Sequence, residues 1–153
     1  MSCQTSIIYG YGFPFDVSDK DLISFIKSHK KSFCTTGQEK RMFYEISSAK
    51  DISELDLDDL FKEYICQSSG MEGRGAAVSN IMARETGIRF EYQTGQSDCY
   101  SEPTILLSEC CPWLYNDKEK ALTEPDLHKI CLKYIEELNT PGIPGYVKIE
   151  YFG

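Results

Sequence analysis

The chain has 153 residues, of which 41% are hydrophobic and 26% charged, and its net charge at pH 7 is −8. That length suits one domain with its own core, and that composition excludes an intrinsically disordered chain. No apolar run approaches the roughly 20 residues of a membrane-spanning helix, and the first residues lack the pattern of a secretory signal, so we expect a cytoplasmic protein. The acidic balance disfavours direct binding to nucleic acid, whose phosphates select basic surfaces.

The spacing of apolar residues predicts nine elements in the order β, α, α, α, α, β, β, α, β. They cover residues 5–13, 18–33, 38–47, 53–66, 76–86, 88–93, 104–108, 123–138 and 146–152. Ser18 and Thr123 each stand three positions before an aspartate, which is typical of a capped helix N-terminus. Strands and helices do not alternate regularly. The order therefore predicts an α+β domain in which a mostly antiparallel sheet of about four strands packs against four to five helices.

The two middle strands are predicted to pair with each other. Residues 88–93 alternate inward Ile88, Phe90 and Tyr92 with polar residues, which is the pattern of a half-buried strand. Residues 104–108 are more uniformly apolar, as in a buried strand. We expect a hairpin between them, with an unusually long connection.

Seven cysteines are an odd number, and without an export signal we expect them to be reduced. One hypothesis is a structural zinc protein. Its four candidate nitrogen and sulfur ligands are Cys110, Cys111, His128 and Cys131, the last two of which share one face of the final helix. The chain contains no Cys-x-x-Cys pair, so the alternative is that Cys131 packs in the core and no metal binds. On balance we expect no cofactor.

A thiol enzyme would need a histidine beside a reactive cysteine, and the chain offers His29 and His128. His29 lies among lysines, where a solvated surface residue is the simpler interpretation. No known cysteine-protease signature surrounds any cysteine. The sequence therefore predicts no catalytic residue.

The segment 67–75 is rich in glycine and is predicted to be a loop before a helix. Backbone N–H groups at a helix N-terminus attract anions, and an arginine adds positive charge. Gly73, Arg74 and Gly75 are therefore candidate anion-binding residues of a small anion- or nucleotide-binding protein or enzyme. The pattern is neither of the familiar phosphate-binding glycine motifs, so the alternative is a flexible connection between helices.

Acidic residues are concentrated just before this segment, where residues 51–75 carry seven carboxylates and two basic side chains. Negative charge near a helix N-terminus is favourable, so a solvated helix start is one interpretation. The other is an acidic face that docks on the basic surface of a protein partner. Its candidate partner-binding residues are Asp56, Asp58, Asp59 and Glu63.

In size, acidity, tyrosine content and lack of a catalytic motif the chain resembles small proteins carried by bacterial phages and mobile elements. That class includes inhibitors of host defence such as anti-CRISPR proteins. The resemblance concerns the whole chain and involves no residue motif, so it assigns no residue a role. The acidic balance, the carboxylates of 51–63 and the absence of a catalytic set favour a non-enzymatic protein-binding module that acts by occupying its partner's surface. The resemblance implies that such a module inhibits a defence or nucleic-acid-handling protein.

Overall fold

The computed structural model describes residues 5–94, 103–108 and 115–152. The strands in these ranges are β1 (Thr5–Pro14), β2 (Glu91–Gln93), β3 (Thr104–Ser108) and β4 (Gly145–Phe152). The helices are α1 (Asp19–Ser28), α2 (Lys30–Phe33), α3 (Gly37–Ser48), α4 (Leu57–Tyr64), α5 (Gly70–Thr86), α6 (Asp117–Lys120) and α7 (Glu124–Leu138), with a 3₁₀ turn at Ile52–Glu54. The predicted α+β class is confirmed.

The four strands form one antiparallel sheet in the order β2-β3-β1-β4. The predicted pairing of the two middle strands is confirmed, with Tyr92 opposite Ile105. The central strand β1 contains Gly10 and Gly12, whose missing side chains allow close approach to β3. A Cβ atom at Gly12 would overlap the carbonyl oxygen of Ile105, so a larger residue would force the two strands apart.

The sheet and the helices bury a common apolar core. Four of its side chains come from β1 and β3, namely Tyr11, Phe13, Ile105 and Leu107. The helices contribute Leu22, Ile23, Phe25, Ile26, Phe33, Met42, Ile46, Leu57, Leu60, Phe61, Ala77, Val78, Ile81, Met82, Leu127, Cys131, Tyr134, Ile135 and Leu138. This burial supplies the main favourable free energy of folding and fixes the helices against the sheet.

The prediction of a loop over 67–75 is wrong from residue 70 onward, because α5 already begins at Gly70. The Ser69 hydroxyl accepts hydrogen bonds from the backbone of Met71 and Glu72, which caps the helix. Local propensity disfavours glycine in a helix, but packing requires it here. A Cβ atom at Gly73 would lie 2.7 Å from the carbonyl oxygen of Phe61, so the glycine lets α5 approach α4 closely.

Two of the predicted helices are interrupted in the structure. The first is divided by a capping residue within it, and the second breaks at a residue that makes long-range contacts. The helix predicted over 53–66 starts instead as a 3₁₀ turn capped by Asp51, and α4 begins after a second cap, Asp56. The helix predicted over 18–33 breaks at His29, which has φ −110° and ψ 34°. Its ring contacts α5 and α7, and such long-range contacts leave no mark in the local pattern.

The strand predicted over 88–93 is shorter than expected, because only Glu91–Gln93 enter the ladder with β3. Just before it, the N–H of Phe90 donates to the carbonyl of Ile88 at 2.8 Å, which turns the backbone out of the strand path. Ile88 and Phe90 are nevertheless buried, as their alternation predicts, and Tyr92 is half-buried.

The capped helix starts predicted at Ser18 and Thr123 are confirmed, because each hydroxyl accepts a hydrogen bond from the backbone N–H three residues further on. Thr123 and Asp126 form a capping box at the start of α7, with Pro125 in its first turn. α5 ends at Gly87, whose φ of 72° lies in the left-handed region that glycine adopts without strain. α7 ends at Asn139, which also has a positive φ, of 53°.

The packing of α5 on α4 predicts that Gly73→Ala is destabilising. We expect it to lower the free energy of unfolding by about 1–3 kcal/mol, because both nearest groups belong to the chain at Phe61 and cannot simply rotate away. Gly37→Ala is the matched control, since a Cβ atom at Gly37 meets nothing within 4 Å. The control should be neutral or stabilising by about 0.4–1 kcal/mol. Urea unfolding of both variants measures the difference, and equal losses of stability would contradict this packing.

Candidate functional site

Arg74 lies at the centre of the candidate site and is buried, with an exposed fraction of 8%. Its Nε donates to Asp19 Oδ1 at 3.0 Å, and one terminal nitrogen donates to Asp58 Oδ1. The guanidinium carbon lies 5.4 Å from the centre of the Phe61 ring. Burial alone would lower the pKa of Arg74, but the hydrogen bonds to Asp58 and Asp19 outweigh burial and raise the pKa above its ordinary value. The guanidinium is therefore charged, and its charge is neutralised within the protein.

The two aspartates reach Arg74 because each sits at the start of a helix. Asp19 is the first residue of α1, which the Ser18 hydroxyl caps, and Asp58 lies in the first turn of α4. Negative charge is stabilised at these ends by the helix dipole. The three side chains join α1, α4 and α5. They leave Asp19 and Asp58 partly open to solvent, with exposed fractions of 49% and 75%.

The contacts of Arg74 with Asp19 and Asp58 are called the Arg74 bridge. A cleft of about 740 Å³ opens beside this bridge. Its wall is built from the end of β1, the start of α1, the residue before β3, the chain after α7, and α4 and α5. The lining residues are Pro14, Phe15, Asp16, Val17, Asp19, Asp58, Met71, Arg74, Pro103, Thr140, Pro141 and Gly142. That volume is in the range of small-ligand sites, and the lining combines apolar surface with carboxylates.

Two further concavities adjoin the cleft through shared lining residues. The first, of about 660 Å³, shares Asp19, Asp58 and Arg74 with the cleft and runs along the 3₁₀ turn. The second, of about 480 Å³, shares Glu54, Leu55 and Asp56 with the first and reaches Tyr44 and Glu45. There it adjoins a further concavity whose lining includes the basic residues Lys40 and Arg41. Together with the cleft the first two concavities form one surface, which we call the acidic groove.

Carboxylates dominate the acidic groove. The seven that line it are Asp16, Asp19, Glu45, Glu54, Asp56, Asp58 and Asp59. Among the described residues that line it, Arg74 is the one basic side chain, and it is already paired with Asp19 and Asp58. The groove therefore presents a strongly negative potential to whatever approaches it.

The predicted partner-binding residues are placed unequally by the structure. Asp56, Asp58 and Asp59 line the groove, but Asp56 also caps α4 and Asp58 also binds Arg74. Glu63 is exposed one helical turn beyond Asp59 and does not line these three concavities. The sequence reasoning did not single out Asp16, Asp19 or Glu45 for the groove, because they come from other segments of the chain.

The anion site is predicted on the assumption that residues 67–75 form a loop, but residues 70–75 belong to α5. The Gly73 N–H donates to the carbonyl of Ser69 at 2.9 Å within the helix, and a Cβ atom at Gly75 would overlap the Tyr92 ring. Both glycines thus allow close packing. Arg74 faces two carboxylates, so any anion would have to compete with Asp19 and Asp58.

The proposed zinc ligands are only partly within the described ranges, since Cys110 and Cys111 lie outside them. Cys131 is buried, and desolvation raises the pKa of its thiol to about 12, so it is protonated at neutral pH. Nδ1 of His128 lies 3.2 Å from the hydroxyl of Tyr11. Over the described part of the chain, no three His, Cys, Asp or Glu side chains are grouped as a metal site would require. The zinc hypothesis stays a prediction.

Burial also raises the pKa of the half-buried Cys34 thiol, which disfavours its thiolate. His29, the other histidine weighed for catalysis, belongs to a cluster that the sequence did not predict. Its Nδ1 lies 2.7 Å from Glu85 Oε2 and its Nε2 lies 2.6 Å from Glu137 Oε2. The hydroxyl of Tyr134 donates to the other Glu85 oxygen at 2.8 Å. These contacts join the junction of α1 and α2 to α5 and α7.

No protein-family model matches this chain, and no curated protein or solved structure is significantly similar to it. None of the helices in residues 5–94 and 115–152 is both long and apolar enough to cross a bilayer. The function therefore has to be inferred from the geometry and charge of the groove.

The bridge predicts that Arg74→Lys is destabilising despite the conserved charge. One ammonium on a flexible stem cannot reproduce the planar fork that binds Asp19 and Asp58 together, and we expect a loss of about 1–3 kcal/mol in the free energy of unfolding. Arg41→Lys, at an exposed position of α3, should change stability by less than about 0.5 kcal/mol. Thermal and urea unfolding compare the two, and an Arg74→Lys variant as stable as its control would show that the bridge contributes little.

The His29 cluster predicts a dependence of stability on pH. Burial would raise the pKa of Glu85, but hydrogen bonds from His29, Ser32 and Tyr134 and the charge of His29 lower it below the ordinary 4.5. The folded protein therefore holds this proton less tightly than the unfolded chain, so acidification below pH 4.5 favours unfolding. Glu85→Gln should cost about 1–3 kcal/mol at neutral pH, because its donors lose a charged acceptor.

The difference in stability between wild type and Glu85→Gln should shrink as the pH falls below 4.5, where the wild-type carboxylate also becomes neutral. Glu136→Gln, at an exposed position of α7, is the matched control and should show no such trend. Urea unfolding between neutral and acid pH measures both. A difference that stays constant over the whole range would contradict the stabilisation of ionised Glu85.

Proposed function

We propose that this protein is a binding module that docks on the basic surface of a protein partner through the acidic groove, without catalysis. The observation that carries the proposal is the charge of the groove. Seven carboxylates line three connected concavities, and the one basic side chain among the described lining residues is already paired. Such a surface attracts Lys and Arg side chains over long range and repels anions.

The groove also offers apolar anchors at its two ends. Met71 at the cleft is 56% exposed, and Tyr44 at the far concavity is 74% exposed. Tyrosine is enriched among the residues that dominate binding energy, and methionine adapts its shape to irregular partners. Charge at the centre with apolar contacts at the ends suits a protein partner better than a simple inorganic cation.

An acidic groove competes naturally with nucleic acid, because the same basic surface of the partner would bind either phosphates or these carboxylates. The resemblance in character to phage-borne inhibitors of host defence supports the same assignment. In this form of the proposal, the protein inhibits a defence or nucleic-acid-handling protein by occupying the surface on which the nucleic acid binds.

The double variant Glu54→Lys/Asp59→Lys tests this proposal without breaking the Arg74 bridge or the Asp56 cap. Both residues are exposed and line the groove. Reversing two charges should weaken the complex by about tenfold or more and slow association most at low salt. The measurement is a pull-down from lysate of the native host at low and high salt, read by mass spectrometry, followed by binding kinetics with the recovered partner.

The matched control is Asp117→Lys/Glu136→Lys, which makes the same change of charge at exposed positions of α6 and α7. The proposal expects a stoichiometric partner that wild type and control both retain and that high salt or the groove variant releases. A partner released equally by both double variants would show that only the net charge matters. A partner indifferent to salt and to the groove variant would overturn the proposal.

A further inference from the structure

The cleft differs from the rest of the acidic groove because it contains a buried polar group without a partner. Thr140 lines the cleft with an exposed fraction of only 7%, and its hydroxyl has no hydrogen bond within the described part of the chain. Its backbone N–H is satisfied by the carbonyl of Ile135 at 3.2 Å. Buried hydroxyls in folded proteins are almost always bonded, so an unpaired one beside a cleft indicates a bonding position for a ligand.

Asp16 supplies the cleft with an uncommitted negative charge. It is exposed, it lines the cleft, and within residues 5–94, 103–108 and 115–152 no hydrogen bond or ion pair engages its carboxylate. Asp19 and Asp58 keep acceptor positions beyond those that Arg74 occupies, since each carboxylate accepts about four hydrogen bonds. Three carboxylates against one paired guanidinium therefore favour a cationic ligand over an anionic one.

The apolar part of the cleft is held in place by contacts with neighbouring segments. The Phe15 N–H donates to the carbonyl of Pro103 at 2.7 Å, and the Phe15 ring meets the edge of Tyr92 with centroids 5.7 Å apart. Gly142 lies against Pro14, where a Cβ atom would stand 3.0 Å from the proline ring. These contacts fix an apolar part of the lining, which includes Pro14 and Phe15, beside the carboxylates.

We infer that the cleft takes an arginine side chain of the protein partner, an inference that rests on the proposed function of the groove. A guanidinium is planar and weakly hydrated, so it stacks on flat apolar faces while its N–H groups bind carboxylates in pairs. Its aliphatic stem covers apolar wall on the way in. A lysine ammonium is a compact and strongly hydrated charge, and it gains less from such a wall. The Thr140 hydroxyl accepts one further guanidinium N–H.

The test uses N-acetyl-arginine amide as the probe, titrated into ¹⁵N-labelled protein and followed by two-dimensional NMR. The expected result is saturable binding that shifts the backbone amides of Val17, Asp19, Thr140 and Gly142. N-acetyl-lysine amide should bind at least about threefold more weakly, because it lacks the planar fork. Inorganic phosphate should not bind at these amides. Shifts confined to other regions, no saturable shift, or phosphate binding in the cleft would each overturn the inference.

Two variants and a control connect the binding to the named groups. Asp16→Asn should weaken binding of the arginine amide by about threefold or more, and Thr140→Val by about two- to threefold, as expected for one charged and one neutral hydrogen bond. Asp117→Asn, an exposed residue of α6 away from the cleft lining, should leave it unchanged. The NMR spectrum of each free variant shows that it is folded. Equal affinities for all three variants would overturn the assignment.

The two proposals fail in different ways. A salt-sensitive protein partner that Glu54→Lys/Asp59→Lys releases but Asp16→Asn retains, with no arginine amide bound in the cleft, would overturn the inference and leave the proposed function intact. If arginine amide binds in the cleft but no protein partner is found at either salt concentration, the proposed function is overturned. The assignment of the bound arginine side chain to a protein partner then fails as well. A partner weakened by both variants supports both proposals.

Discussion

The burial of Arg74 between Asp19 and Asp58 is the constraint on which the rest of the site depends. A charged group taken out of water is costly unless partners of opposite charge and good geometry surround it. Here the partners come from the starts of α1 and α4, while Arg74 itself comes from the second turn of α5. Satisfying one guanidinium therefore fixes three helix ends relative to one another. The glycine face of α5, which lets α4 approach, provides the space in which this happens.

The same pairing decides the chemistry of the surface. An arginine near a helix N-terminus would ordinarily suggest an anion site, but its charge is used internally and the remaining carboxylates set the sign of the groove. The acidic helix starts thus have two roles. They stabilise their own helices through the dipole and the caps, and their exposed oxygens remain available to a cationic partner. Their structural role and the proposed recognition of a partner therefore make compatible demands on these residues.

Features with a local cause could be predicted from the sequence. The capping residue at Thr123 is formed as predicted, and the pairing of β2 with β3 follows from the alternation of residues 88–93 and the apolar run 104–108. Features decided by tertiary contacts could not. The glycines of 70–75 predict a loop, because glycine has a low helix propensity. In the structure they lie in a helix, where a side chain at Gly73 or Gly75 would overlap Phe61 or Tyr92. Part of the candidate site could not be predicted for the same reason, because Asp16 and Asp19 come to line one cleft with Asp58 only in the folded chain.

The most direct test of the closed bridge is the NMR signal of the Arg74 side-chain Nε–H group, observed at neutral pH with and without phosphate. The bridge predicts a sharp signal with slow hydrogen exchange, because Nε donates to Asp19 at 3.0 Å in a buried position. It also predicts that phosphate leaves the signal in place. A signal broadened by rapid exchange, or one that moves as phosphate is added, would show that the arginine is open to anions and would contradict the acidic character assigned to the groove.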